Sequence, residues 1–87
     1  MKKNISINIF GTIYAIDEDA YQLLENYLQS MKSYFQRQEG GEEIADDIEH
    51  RVAELLWERK EQGMEAVNIE TVKEIIEKIG NATDIDD

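Results

Sequence analysis

The 87-residue sequence contains no cysteine, a single histidine, only nine basic residues and no long hydrophobic run. Without thiols there is no disulfide framework and no thiolate chemistry, and one imidazole removes most zinc sites, so a reducing compartment suits the chain. Nine Lys and Arg against twenty Asp and Glu leave a formal charge of -11, which repels phosphate backbones and disfavours direct nucleic-acid binding. Basic protein surfaces or cations are the partners this charge favours. No segment approaches the roughly 18 to 20 apolar residues of a membrane span. The Met1-Lys2-Lys3 start has the charge of a signal peptide, but Asn4, Ser6 and Asn8 interrupt the apolar run that export needs. These absences predict a soluble, cytoplasmic chain with one domain over residues 1–80 and an acidic, flexible tail over 81–87. A chain of this size buries a little over ~60% of its unfolded surface, so its stability is marginal.

What is present is dominated by Glu43 to Arg59, which reads as one amphipathic helix. At about 100° per residue, Ile44, Ile48, Val52, Leu55 and Leu56 gather into a stripe that needs an apolar partner. Asp47, Arg51, Glu54 and Glu58 border it at spacings of three and four, where ion pairs are worth roughly 0.2 to 0.5 kcal/mol each. Arg59 projects near the stripe at its end, placed to lay its stem on the core and reach a carboxylate or the last carbonyls. Trp57 falls on the opposite side, with His50, Ala53 and Lys60 for neighbours. Either another layer of the protein, such as the hairpin, covers it, or a partner does.

Upstream, Ile5, Ile7 and Ile9 alternate with Asn4, Ser6 and Asn8, the pattern of a half-buried strand. A Phe10-Gly11 turn and the β-branched run Thr12 to Ile16 complete a hairpin. A two-residue loop pairs Ile9 with Thr12, Ile7 with Tyr14 and Ile5 with Ile16, whereas a three-residue loop buries Ile13 and Ala15 instead. Asp17 is a candidate N-cap for a helix reaching about Gln38, in which Ala20, Leu23, Leu24, Tyr27, Leu28, Met31, Tyr34 and Phe35 form the core face. Gly40-Gly41 ends it, and the tight connection predicts an antiparallel pair with the next helix. Gly63 is the expected cap of that second helix, Val67 and Ile69 suggest a short extended piece, and Asn68 starts a third helix that ends at Gly80 with Val72, Ile75, Ile76 and Ile79 on one edge. Asn81-Ala82-Thr83 matches a glycosylation sequon, read here as chance in a chain without an export signal.

The residues that could carry chemistry do not assemble into a site. Asp46, His50 and Glu54 share a helix face, and Asp47-Ile48-Glu49-His50 imitates half of a carboxylate-bridged di-metal motif. The other half must come from a facing helix, and the first helix offers only Glu25 amid apolar positions. Ser6, Ser30 and Ser33 have no histidine within a recognisable motif, no Gly-rich phosphate loop exists, and the carboxylates lie on polar faces. The expectation is a non-enzyme with no cofactor and no metal. Trp57, Ala53 and His50 remain as a candidate contact surface, since an exposed Trp is a typical interface anchor.

Several strings carry a family resemblance that spans nearly the whole chain. They are Met1-Lys2-Lys3 with Ile5-Ser6-Ile7-Asn8-Ile9, then Asp19-Ala20-Tyr21 with Leu24 and Tyr27-Leu28, then Glu43-Ile44, Asp47-Ile48-Glu49, Arg51, Ala53-Glu54-Leu55, Glu58-Arg59 and the closing Ile79-Gly80. The sequence resembles the N-terminal cytoplasmic region of phage-shock-protein-C-like membrane proteins of the Bacteroidetes type, most specifically in the Asp-Ile-Glu-x-Arg-x-Ala-Glu-Leu string at 47–55. Members are described as stress-responsive transcriptional regulators of the envelope. The resemblance implies a place on the cytoplasmic face of the inner membrane, attached through segments absent from these 87 residues. The family pattern has Pro where Ala82 stands and runs on into membrane helices, so attachment comes from the resemblance alone. The combined expectation is an α+β domain, a two-stranded antiparallel hairpin on three helices, acting as a protein-interaction module of an envelope-stress protein, with a homodimer compatible. The alternative is a DNA-binding transcriptional regulator using the second and third helices, whose Lys73 and Lys78 stand against Glu70, Glu74 and Glu77.

Overall fold

The computed structural model describes residues 3–80; the expected tail at 81–87 and its sequon lie outside them. The order is β1 (Asn4–Ile9), β2 (Thr12–Asp17), α1 (Glu18–Phe35), α2 (Gly41–Glu61) and α3 (Ile69–Ile79), an α+β arrangement of one antiparallel hairpin and three helices. The two-residue loop is the one formed, with Ile9 opposite Thr12, Ile7 opposite Tyr14 and Ile5 opposite Ile16. Both turn residues have positive φ, 47° at Phe10 and 87° at Gly11, the signature of a type I′ turn, whose twist matches that of the strands. The Gly11 N–H donates to Asn8 Oδ1 at 3.0 Å. This register sends Tyr14 and Ile16 into the core and leaves Ile13 outside.

Helix α1 is the central element, touching β2, α2 and α3. Ala20, Leu24, Tyr27, Met31 and Phe35 are its buried stripe, and each large apolar side chain so buried contributes about 1.5 to 3 kcal/mol. Asp17 occupies the N-cap position but makes no capping bond. Its Oδ1 instead accepts from Asn4 Nδ2 at 3.3 Å across the hairpin base. Tyr34, expected inside, is 37% exposed and meets Phe35 edge-on at 5.0 Å. The core face is thus narrower than the run of aromatics suggests, because Tyr34 sits to one side of the buried stripe, on the side where Leu23 is only half-buried; α1 itself ends at Phe35 and not at Gln38. Past Phe35 the chain turns, with Gln38 N–H donating to Phe35 O and Gly41 N–H to Gln38 O, both at 3.0 Å.

Helix α2 buries Ile48, Val52, Leu55 and Leu56, with Ile44 at the margin. Of its border charges, Arg51 pairs with Glu54 at 2.8 Å, while Arg59 reaches across to Glu74 on α3. Asn68 caps α3, its Oδ1 accepting from Thr71 N–H at 2.9 Å. Val67 forms a parallel bridge with Ile16, its N–H donating to Ala15 O at 2.8 Å and its carbonyl accepting from Asp17 N–H at 2.9 Å. Tyr27 on α1 donates its hydroxyl to Gly80 O at 2.7 Å, fastening the end of α3. Among the described residues no helix is long and apolar enough to cross a membrane.

Candidate interaction surface

Once α2 turns Val52, Leu55 and Leu56 inward, helical geometry places His50, Ala53, Trp57 and Lys60 on its outer flank. The hairpin runs beside this flank. Its tip lays Phe10 on His50, with ring centroids 4.3 Å apart and planes 19° from parallel. Further along, Lys60 Nζ donates to Ile13 O at 3.0 Å and stands 5.3 Å from the Tyr14 ring centroid. Trp57 lies between these contacts along α2 and stays 50% exposed, so the hairpin does not cover it. Ala53 is half-buried and His50 exposed.

Sequence reasoning named Trp57, Ala53 and His50; the fold adds Phe10 and Ile13, which are 55% and 62% exposed. Their addition depends on the hairpin's docking against α2, a contact some forty residues apart in sequence that no local pattern reports. One signal was available: a type I′ turn favours Asn or Asp where Phe10 stands. Left-handed backbone costs a residue with a side chain about 1 to 2 kcal/mol. Stacking on His50 returns about 0.5 to 1.5 kcal/mol. A strained, half-exposed aromatic that gains so little for the fold is the kind of residue found at contact sites.

His50 Nδ1 lies 2.8 Å from the Asp46 main-chain carbonyl, which places a proton on Nδ1 and holds the ring flat against Phe10. Glu54 is turned to Arg51. The Asp46, His50 and Glu54 side chains therefore do not converge, and no group of three or more potential ligands forms a metal site among the described residues. Exposed Glu54, Glu58 and Glu61, all within four residues of Trp57 along α2, instead give it an acidic rim.

Two shallow clefts lie elsewhere, between α1 and α2. One of about 330 Å³ is bordered by Lys32, Gln36, Gly41, Glu42, Ala45 and Asp46. The other, about 110 Å³, runs past Glu25, Leu28, Gln29, Lys32, Ala45 and Glu49. Both mix Lys32 with carboxylates and hold no histidine or serine. Among the described residues no buried side-chain polar atom lacks a partner, so neither cleft presents the unsatisfied group that marks a prepared ligand site. Comparison with protein-family models, curated proteins and solved structures returned no match for this chain.

Proposed function

We propose that the chain is a non-catalytic protein-interaction domain whose docking surface is the α2 flank of His50, Ala53 and Trp57, extended by Phe10 and Ile13. The observation that carries this reading is the exposure of Phe10, Ile13 and Trp57 at the seam where the hairpin meets α2, with Phe10 stacked on His50 and the Ile13 carbonyl held by Lys60. Apolar contact there supplies affinity, and the acidic rim within a chain of charge -11 steers a basic partner. The resemblance to phage-shock-protein-C-like N-terminal regions supports a setting on the cytoplasmic face of the inner membrane in an envelope-stress protein. The DNA-binding alternative gains nothing from α3, whose outer face carries Glu70, Glu74 and Glu77 and whose Glu74 already holds Arg59.

Chemical-shift mapping tests the proposal with two synthetic amphipathic helices that share one leucine face, one lysine-rich and one glutamate-rich. The lysine peptide shifts Phe10, Ile13, His50, Ala53 and Trp57, and the glutamate peptide does not. Silence along this seam, or equal response to both peptides, overturns the reading. Duplex DNA at physiological salt leaves the spectrum unchanged.

A further inference from the structure

The two edges of the hairpin are treated differently. On β2, the outward Ala15 carbonyl accepts from Val67 N–H and the outward Asp17 N–H donates to Val67 O, and the Ile13 carbonyl is taken by Lys60. That edge is closed. In register, Ala15, Asp17 and Ile13 lie opposite Ser6, Asn4 and Asn8. Opposed residues whose peptide groups point away from each other are the non-hydrogen-bonded pairs of an antiparallel ladder. The N–H and C=O groups of Asn4, Ser6 and Asn8 therefore point to the other side, where among the described residues no backbone group of another element bonds them. This edge is open among the described residues.

Native proteins blunt such an edge with lysine, proline, a bulge or a covering element. Among the described residues none is present from Asn4 to Ile9: the strand is uncharged and unbroken in pairing, and the chain has no proline at all. In a molecule of charge -11, this neutral edge is where a second copy approaches with least repulsion. The sequence of the edge also matches itself. Asn4-Ile5-Ser6-Ile7-Asn8 reads the same in both directions.

We propose that β1 pairs antiparallel with β1 of a second copy about a two-fold axis at Ser6, giving a four-stranded sheet. Ser6 faces the partner's Ser6, Asn4 faces the partner's Asn8, and Ile5 faces the partner's Ile7. All three outward-facing residues gain ladder bonds, and the half-buried Ile5 and Ile7 of each copy extend one apolar face across the axis. Because the pairing consumes β1 and the β2 edge is closed, assembly stops at two. The surface is distinct from the Trp57 seam and does not depend on its role. Its small area, well below the roughly 1,200 to 2,000 Å² of standard interfaces, makes the dimer weak and concentration-dependent.

Sedimentation equilibrium of the whole chain from about 10 µM to about 1 mM reads the association directly. The mass rises from one chain to two across this range, and Ser6→Lys, which sets like charges across the axis, holds it at one. Ser6 is exposed and its peptide groups are not used within the hairpin, so circular dichroism of that variant is unchanged. Trp57→Ala still dimerises. Amide exchange of the unmodified chain gives a second reading: Asn4, Ser6 and Asn8 gain protection as concentration rises, while Ile5 and Ile7 are protected throughout. A single-chain mass over the whole range, a dimer that survives Ser6→Lys, or protection at these three amides that ignores concentration overturns the proposal.

Discussion

Phe10 holds a left-handed backbone at φ 47°, where asparagine fits better and a ring is costly. The strain and the stack on His50 are of similar size, about 1 kcal/mol each, so their sum says little about stability and much about exposure. Phe10→Asn separates the two roles. Urea unfolding of this variant shows a stability equal to the original or up to about 1 kcal/mol higher, while the response of Trp57 to the lysine-rich peptide weakens several-fold. A loss of stability beyond about 1 kcal/mol with undiminished docking would assign Phe10 to the fold alone. At this scale the sequence was readable where chemistry is local. Trp57 and His50 stood out because helical periodicity excluded them from the apolar stripe, and that exclusion is a property of α2 by itself. Phe10 was readable only as a residue ill-suited to its turn and not as a contact, since its exposure and its partner both depend on where the hairpin lands.

At the scale of elements, periodicity located all three helices, alternation located β1, and the turn with the β-branched run Thr12 to Ile16 located β2, because each element buries one face against a shared core. The ends were less legible. Helix α1 stops at Phe35, three residues short of the expected Gln38, and α2 starts at Gly41 rather than Glu43. The reason is a crossing that composition does not encode. A Cβ placed on Gly41 would lie 1.6 Å from the Phe35 carbonyl oxygen, so the first turn of α2 passes over the last turn of α1 at a separation only glycine permits. Gly40 and Gly41 are thus not interchangeable helix breakers: Gly40 supplies positive φ at 75°, and Gly41 supplies absence of volume. Gly41→Ala forces the two helices apart at this end and lowers stability by about 2 to 3 kcal/mol, the upper range for overpacking. The midpoint of chemical unfolding checks it. A loss of only a few tenths would mean that the junction opens freely and that the tight crossing does not hold α1 to α2.

Across the whole molecule, the contacts that close the fold link residues far apart in the chain, and these were the hardest to anticipate. Val67 was legible as an extended residue, but not as the bridge to Ile16 that seals one side of the hairpin. Tyr27 was legible as core, but not its hydroxyl bond to Gly80, 53 residues away. That bond gives overall stability a dependence on alkaline pH. Burial pushes the Tyr27 hydroxyl up to about 12, from 10.0 for an ordinary tyrosine. Between these values the unfolded chain releases a proton that the folded chain keeps. The contribution is therefore fully present below pH 10 and is lost as pH rises toward 12. Other tyrosines and the growing negative charge also weaken the fold in this range, so the diagnostic quantity is the difference from Tyr27→Phe. At neutral pH that variant is less stable by roughly 0.5 to 1.5 kcal/mol, the worth of a hydrogen bond. Above pH 10 its stability falls less steeply than that of the original chain, and the gap between the two narrows or reverses. Urea titrations at a series of pH values measure that gap, and parallel curves through pH 10 to 12 would show that Tyr27 ionises no later in the folded chain than in the unfolded one.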